Sequence, residues 1–214
     1  MKKTIAILLA LCIILSLAAC GTSSGQTKQP PAEENSVENE AAHDTQTESE
    51  DIQQDNVLVA YFSATNTTKG IAEHIANGLN AKLYEIVPEV PYTDADLNYS
   101  DSNSRTTIEM DDPNTRPAIS GSVEDMEQYH IVFIGYPIWW GDAPRIVSTF
   151  MESYDFSGKT IVPFCTSGSS GIGSSAKNLE QLTESADWLS GTRFGSGDSQ
   201  DTVMEWVNSL DLNF

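Results

Sequence analysis

Val57–Phe62 reads V-L-V-A-Y-F, an unbroken run of β-branched, aliphatic and aromatic residues. Its length and composition predict a strand buried on both faces. Six small residues follow, five of them polar: Ser63, Ala64, Thr65, Asn66, Thr67 and Thr68. Apolar residues then return at helical spacing, at Ile71, Ala72, Ile75, Ala76 and Leu79. A buried strand therefore runs into a hydroxyl-rich loop, and the loop opens a helix. The free N–H groups and partial positive charge of that helix start suit an anion, and hydroxyl and amide side chains beside it suit a phosphate.

The rest of the domain repeats this alternation. Lys82–Val87 predicts a second strand, and 88–121 reads as one long irregular stretch rich in Asp, Asn and Ser. Tyr92 and Tyr99 within it are candidates to cover a ligand. A short helix is expected near 123–128. His130–Tyr136 is a clear buried strand, stopped by Pro137 and followed by Ile138, Trp139, Trp140, Gly141 and Asp142. Pro144 can start a helix bearing Ile146, Val147, Phe150 and Met151 on one face. Thr160–Cys165 is the next strand, and a glycine-rich loop over Thr166–Gly173 precedes a helix expected at 174–184. A weak strand over 188–194 and a helix over 201–210 close the chain. The order β-α-β-loop-β-α-β-α-β-α predicts an α/β fold of three layers, with a parallel sheet covered by helices on both faces. Ligands in such sheets sit beyond the C-terminal strand ends. The loops Ser63–Thr68, Pro137–Gly141 and Thr166–Gly173 leave those ends. Together they offer phosphate contacts, an aromatic platform and close backbone donors, which suits a phosphorylated, flat, aromatic ligand. Neither a nucleotide P-loop nor a G-x-G-x-x-G follows the first strand. No histidine or cysteine spacing suggests a metal site or a catalytic base.

Residues 1–20 carry a basic start at Lys2 and Lys3, an apolar stretch, and Leu17-Ala18-Ala19-Cys20. This is the plan of a signal peptide and resembles that of bacterial lipoproteins. The resemblance implies a lipid on Cys20 and a place at the outer face of the cell membrane. Residues 21–55 are polar and acidic and read as a disordered tether. Fully stretched, it would reach on the order of 100 Å. Residues 56–214 then form one domain, with about 160 residues to build a core. The formal charge of −20 argues against nucleic acid as a partner and suits a partner with a basic docking face.

The run Y-F-S-A-T-N-T-T at 61–68 is similar to the phosphate loop of the flavodoxin family, with Asn66 where glycine and Thr67 where asparagine are most usual. G-Y-P-I-W-W-G at 135–141 resembles the family's second flavin loop, and 165–173 its third; the match is best to the short-loop members. The resemblance implies a five-stranded parallel sheet of order 2-1-3-4-5 and FMN as cofactor. Ser63, Thr65, Asn66, Thr67 and Thr68 would hold the phosphate. Trp139 or Trp140 would stack on the ring, with Pro137 and Gly141 shaping their loop. Thr166, Ser167, Gly168 and Gly171 would line the polar edge. Gly141 would let a backbone carbonyl turn toward the ring, and Asp142 beside the platform would disfavour added negative charge. The function implied is an electron carrier working with a redox protein. A flavin-dependent NAD(P)H or quinone reductase and a flavin-free interaction module remain alternatives on the same fold. For the reductase, Arg105, Arg116 and Arg145 are the only nearby cations to grip a pyrophosphate.

Overall fold

The computed structural model describes residues 56–212. The signal peptide, Cys20 and the tether lie outside the described residues. Along the chain come β1 (Val57–Tyr61), α1 (Thr67–Leu79), β2 (Lys82–Glu85), β3 (Val87–Pro88), α2 (Arg105–Asp111), β4 (Ile119–Ser120) and a 3-10 turn (Met126–Gln128). Then follow β5 (Ile131–Pro137), α3 (Arg145–Glu152), β6 (Thr160–Thr166), α4 (Ser175–Glu180), β7 (Asp187–Trp188), β8 (Thr192–Phe194) and α5 (Gln200–Asn208).

The main sheet is parallel, in the order β2-β1-β5-β6-β7, with β8 also on β6. It is the expected 2-1-3-4-5 arrangement, with the fifth strand in two pieces. Strand periodicity sends alternate side chains to opposite faces. Along β1, Val57, Val59 and Tyr61 face α1 and α5, packing with Ile71, Ile75, Phe133, Val203 and Val207. Leu58, Ala60 and Phe62 face the other layer with Val132, Ile134, Ile146, Phe150 and Met151. All of β1 is buried, as a strand between two helical layers must be.

The fifth strand breaks because its register slips. Thr160 and Ile161 pair with Asp187 and Trp188, whereas Phe164 pairs with Thr192, so the outer strand carries one extra residue, a bulge. The bulge lies opposite Pro163, which has no N–H to donate. A Cβ on Gly191 would lie 2.5 Å from the Pro163 carbonyl oxygen, so glycine is what lets the chain pass there.

The expected strand over 82–87 is also divided. Ile86 still donates to the Tyr61 carbonyl, but Val87–Pro88 turns away and pairs antiparallel with β4. This pairing ties both ends of the stretch expected to be irregular, and that stretch holds α2. Ser104 caps α2 by accepting from the Thr107 N–H. The buried residues of α2 are Thr106, Thr107, Glu109 and Met110, too polar to give an apolar period. Glu109 accepts from the Tyr92 hydroxyl at 2.6 Å and from Arg105 at 2.6 Å, and the Arg105 guanidinium lies 4.1 Å from the centre of the Tyr92 ring. Tyr92 in turn packs edge-on against Phe62 and Trp139. Polar bonds thus fold this segment onto the core.

At the opposite end of the sheet, the buried Lys159 ammonium donates to the carbonyls of Met126 and Tyr129 at 3.0 and 2.6 Å. It satisfies the end of the 3-10 turn that the sequence placed as a short helix. Burial lowers its pKa from the ordinary lysine value.

Candidate functional site

The C-terminal ends of β1, β5, β6 and β8 meet at one edge of the sheet, and hydrogen bonds join their loops. The Thr68 and Thr166 hydroxyls are 2.8 Å apart and buried, linking the start of α1 to the end of β6. The Ile138 N–H donates to the Thr166 carbonyl at 3.0 Å, linking the second loop to the third. Arg193 donates to the Ser167 carbonyl at 3.0 Å, which brings in β8. These bonds surround an open cavity of about 280 Å³ lined by Thr65, Thr67, Pro137, Ile138, Thr166, Ser167, Gly168 and Ser196. A larger cavity of about 520 Å³ lies beside β2, lined by Lys82, Tyr84, Glu124 and Gln128 among others, and contains none of the residues singled out from the sequence.

The anion character of the smaller cavity comes from α1. Asn66 is its N-cap, yet the Asn66 side chain makes no capping bond and no carboxylate stands in the first turn. Lys69 occupies that turn instead. A cation there is unfavourable for the helix alone, but it suits an anion bound at the helix start. Asn66 has φ 63°, in the left-handed region that glycine enters freely and asparagine tolerates better than most residues. This is the physical reason asparagine can stand at the family's glycine position.

The residues read from the sequence take different places. Thr65, Thr67, Pro137, Thr166, Ser167 and Gly168 line the cavity. Thr68 is buried beneath it, Ser63 is half-buried, and Asn66 is exposed at the helix start. Gly171 is exposed further along the third loop, and neither it nor Trp139, Trp140 or Gly141 lines the cavity. The two tryptophans diverge. Trp139 is 3% exposed and packs edge-on against Phe62 at 5.4 Å, whereas Trp140 is 42% exposed and lies 4.5 Å from the Tyr99 ring. Ser196 lines the cavity although sequence reasoning passed over it. The small residues Gly195-Ser196-Gly197 after the last strand were the available signal.

Trp139 and Asp142 exchange two backbone hydrogen bonds of 2.9 Å, and Trp140 and Gly141 between them have φ 47° and 81°. Positive φ at both central positions makes a type I′ turn. Glycine is suited to it, and tryptophan is not. The sequence sets Asp142 beside the platform as a charge that disfavours added negative charge. Its carboxylate is instead paired with Arg145 at 3.1 Å and also accepts from the Ala143 N–H at 2.8 Å and the Asn178 side chain at 3.2 Å.

Burial raises the pKa of Tyr61, Tyr84, Tyr92 and Tyr136, and a hydrogen bond to a carboxylate adds to this at Tyr61 and Tyr92. Burial also pushes the Cys165 thiol up to about 12. Each group contributes stability that is intact below its unfolded value, 9.0 for the thiol and 10.0 for the phenols, and is lost as pH rises toward its folded value. The urea midpoint is therefore expected to fall steadily above about pH 9. A midpoint that holds constant up to about pH 11 would contradict this sign.

A sequence model of the flavodoxin family, described as flavodoxin, matches residues 56–210. The chain belongs to the flavodoxin family. The flavodoxin domain is similar to a crystal structure of a protein assigned as a flavoprotein from Bacteroides eggerthii, with 43% identity, TM-score 0.70, and coverage of 74% of this chain and 99% of that one. A second such structure, from Bacteroides uniformis, has 44% identity, TM-score 0.69, and coverage of 72% and 97%. A flavoprotein in complex with FMN from Lactobacillus acidophilus is 20% identical, with TM-score 0.54 and coverage of 72% and 99%, a likeness of fold. No curated protein matches the chain. In open parallel sheets ligands sit outside the carboxyl ends of the strands, which is where the four loops of this chain meet.

Proposed function

We propose that this flavodoxin domain binds FMN and serves as an electron carrier held at the outer face of the cell membrane. The Thr68–Thr166 bond carries the first part, because it fixes the phosphate-type loop against the third loop and so forms one site from distant segments. The residues fit the group. An uncapped helix start with Lys69 and the hydroxyls of Thr65 and Thr67 takes the phosphate. Gly168 leaves room for close approach, since a Cβ there would meet nothing within 4 Å. The exposed Trp140 ring offers a flat apolar face, while buried Trp139 holds the loop from behind. FMN, when bound, supplies the redox chemistry. The chain orients it, limits water at its rings and sets the surrounding charge.

A carrier is favoured over a reductase by the arginines. Arg105, Arg116 and Arg145 are all engaged with carboxylates, to Glu109, Glu152 and Asp142. Each is thereby committed within the fold, and the cations that do stand at the cavity, Lys69 and Arg193, are not those expected to grip a pyrophosphate. The acidic composition favours a redox partner with a basic face. The lipoprotein-type start favours a lipid on Cys20, with residues 21–55 as a tether.

Purified full-length protein decides the cofactor. A yellow sample, or an apoprotein that quenches added FMN fluorescence with saturation, is expected. A colourless protein that leaves FMN fluorescence unchanged would end this reading. Rapid oxidation of NADH by the loaded protein alone would instead favour the reductase. Cys20→Ser should move the protein out of the membrane fraction of the native cell, and an unchanged distribution would refute the anchor.

A further inference from the structure

The Trp140 turn is held from three sides. Asp142 closes it, and Asp142 is gripped by Arg145 on α3, by the Ala143 N–H and by Asn178 on α4. Arg145 does more than pair with Asp142. One of its terminal nitrogens, Nη1, takes the Asp142 carboxylate at 3.1 Å, and the other, Nη2, donates to the Met110 carbonyl at 2.9 Å. Its Nε is buried with no hydrogen-bond partner. The guanidinium therefore sits where its two ends reach separate elements, at the expense of its own third donor. Met110 lies near the end of α2, in the same excursion as Tyr99. The Tyr99 and Trp140 rings, one from each side of this bridge, meet at 4.5 Å with planes 32° apart.

We propose that Arg145 is a positioning residue for the aromatic edge of the site: through Asp142 it holds Trp140 in the left-handed turn, and through Met110 it holds the excursion so that Tyr99 stays against Trp140. A bulky residue with positive φ persists only where its surroundings over-determine it. The clamp on Asp142 provides this constraint. A side chain that merely neutralised Asp142 would need that contact alone. The second reach, to the carbonyl of a distant helix, is what couples the two rings. The consequence for the ligand rests on the FMN reading; the consequence for the rings does not.

The test compares the ligand-free full-length protein with Tyr99→Leu, Arg145→Gln and the double variant by near-ultraviolet circular dichroism. In the parent chain, Tyr99→Leu removes the signal of the ring pair. The expected result is that Arg145→Gln removes the same signal and that adding Tyr99→Leu then changes nothing further. If Tyr99→Leu changes the spectrum as much in the Arg145→Gln background as in the parent, the proposal is wrong. Should Arg145→Gln fail to fold, Asp142→Asn replaces it, since it releases the guanidinium and keeps an acceptor for the Ala143 N–H. In a second arm, Arg145→Gln weakens FMN binding about tenfold, and the loss shrinks to less than about threefold in a Trp140→Gly background. Equal losses in both backgrounds would mean that Arg145 does not act on the ligand through Trp140, and would overturn its positioning role. A parent protein that binds no FMN would overturn the cofactor reading, and the spectral arm would still decide the role of Arg145.

Discussion

Trp140→Gly is expected to weaken FMN binding about thirtyfold while shifting the stability of the free protein by less than about 1 kcal/mol. The affinity loss follows from the ring. Trp140 is the exposed tryptophan of the loop, and covering one face of it with a flat ligand is worth about 2 kcal/mol. The small stability change follows from cancellation. A tryptophan with φ 47° carries strain of about 1–2 kcal/mol that glycine does not. Against this relief stand the lost contact with Tyr99 and the greater freedom of glycine in the unfolded chain, each about 0.5–1 kcal/mol. An FMN titration and a urea melt read the two quantities separately. Unchanged affinity would show that Trp140 does not face the ligand, whereas a large loss of stability would show that the ring supports the fold.

Gly135→Ala should destabilise the domain by about 3 kcal/mol, a fall of roughly 6–12 °C in Tm. Gly135 lies within β5, between Tyr61 on β1 and Phe164 on β6. The Phe164 ring leans across the space that a side chain would occupy. A Cβ on Gly135 would sit 2.2 Å from Phe164 Cζ and 2.6 Å from Cε2. Phe164 is fully buried against Phe194 and the layer formed by α1 and α5, so the ring has no open solvent to swing into. Replacing it as well relieves the clash, and Gly135→Ala with Phe164→Leu should therefore cost less than the sum of the two single changes. Thermal melts of the four proteins test this. Additive losses would mean that the two residues do not compete for the same space. By contrast, a Cβ on Gly78 would meet only the flexible end of Met204, which is free to yield.

The sheet was legible because β1, β5 and β6 are buried on both faces and so read as apolar runs with abrupt ends, β1 and β6 in small polar residues and β5 in Pro137 before two tryptophans. The same endings announced Thr65, Thr67, Pro137 and Thr166–Gly168 at the cavity. The excursion over 88–121 was not legible. Glu109 and Arg105 hold it through mutual bonds and through Tyr92, and such pairings leave no periodic trace. Nor did adjacency distinguish Trp139 from Trp140. A turn with positive φ at 140 and 141 sends one ring into the core beside Phe62 and leaves the other exposed, and turn handedness is set by the strands and helices that the turn must join.

The sequence by itself determined the alternation of strand and helix and the chemistry at each strand end, since these follow from local periodicity and residue type, and its three loops carried the resemblance to the flavodoxin family. Only the tertiary structure decided which hydroxyls meet, that Arg145 ties Asp142 to the Met110 carbonyl, and which tryptophan stays exposed. Those outcomes depend on distances between segments far apart in the chain, such as the 98 positions separating Thr68 from Thr166. Such distances are fixed by packing around the sheet rather than by any local preference.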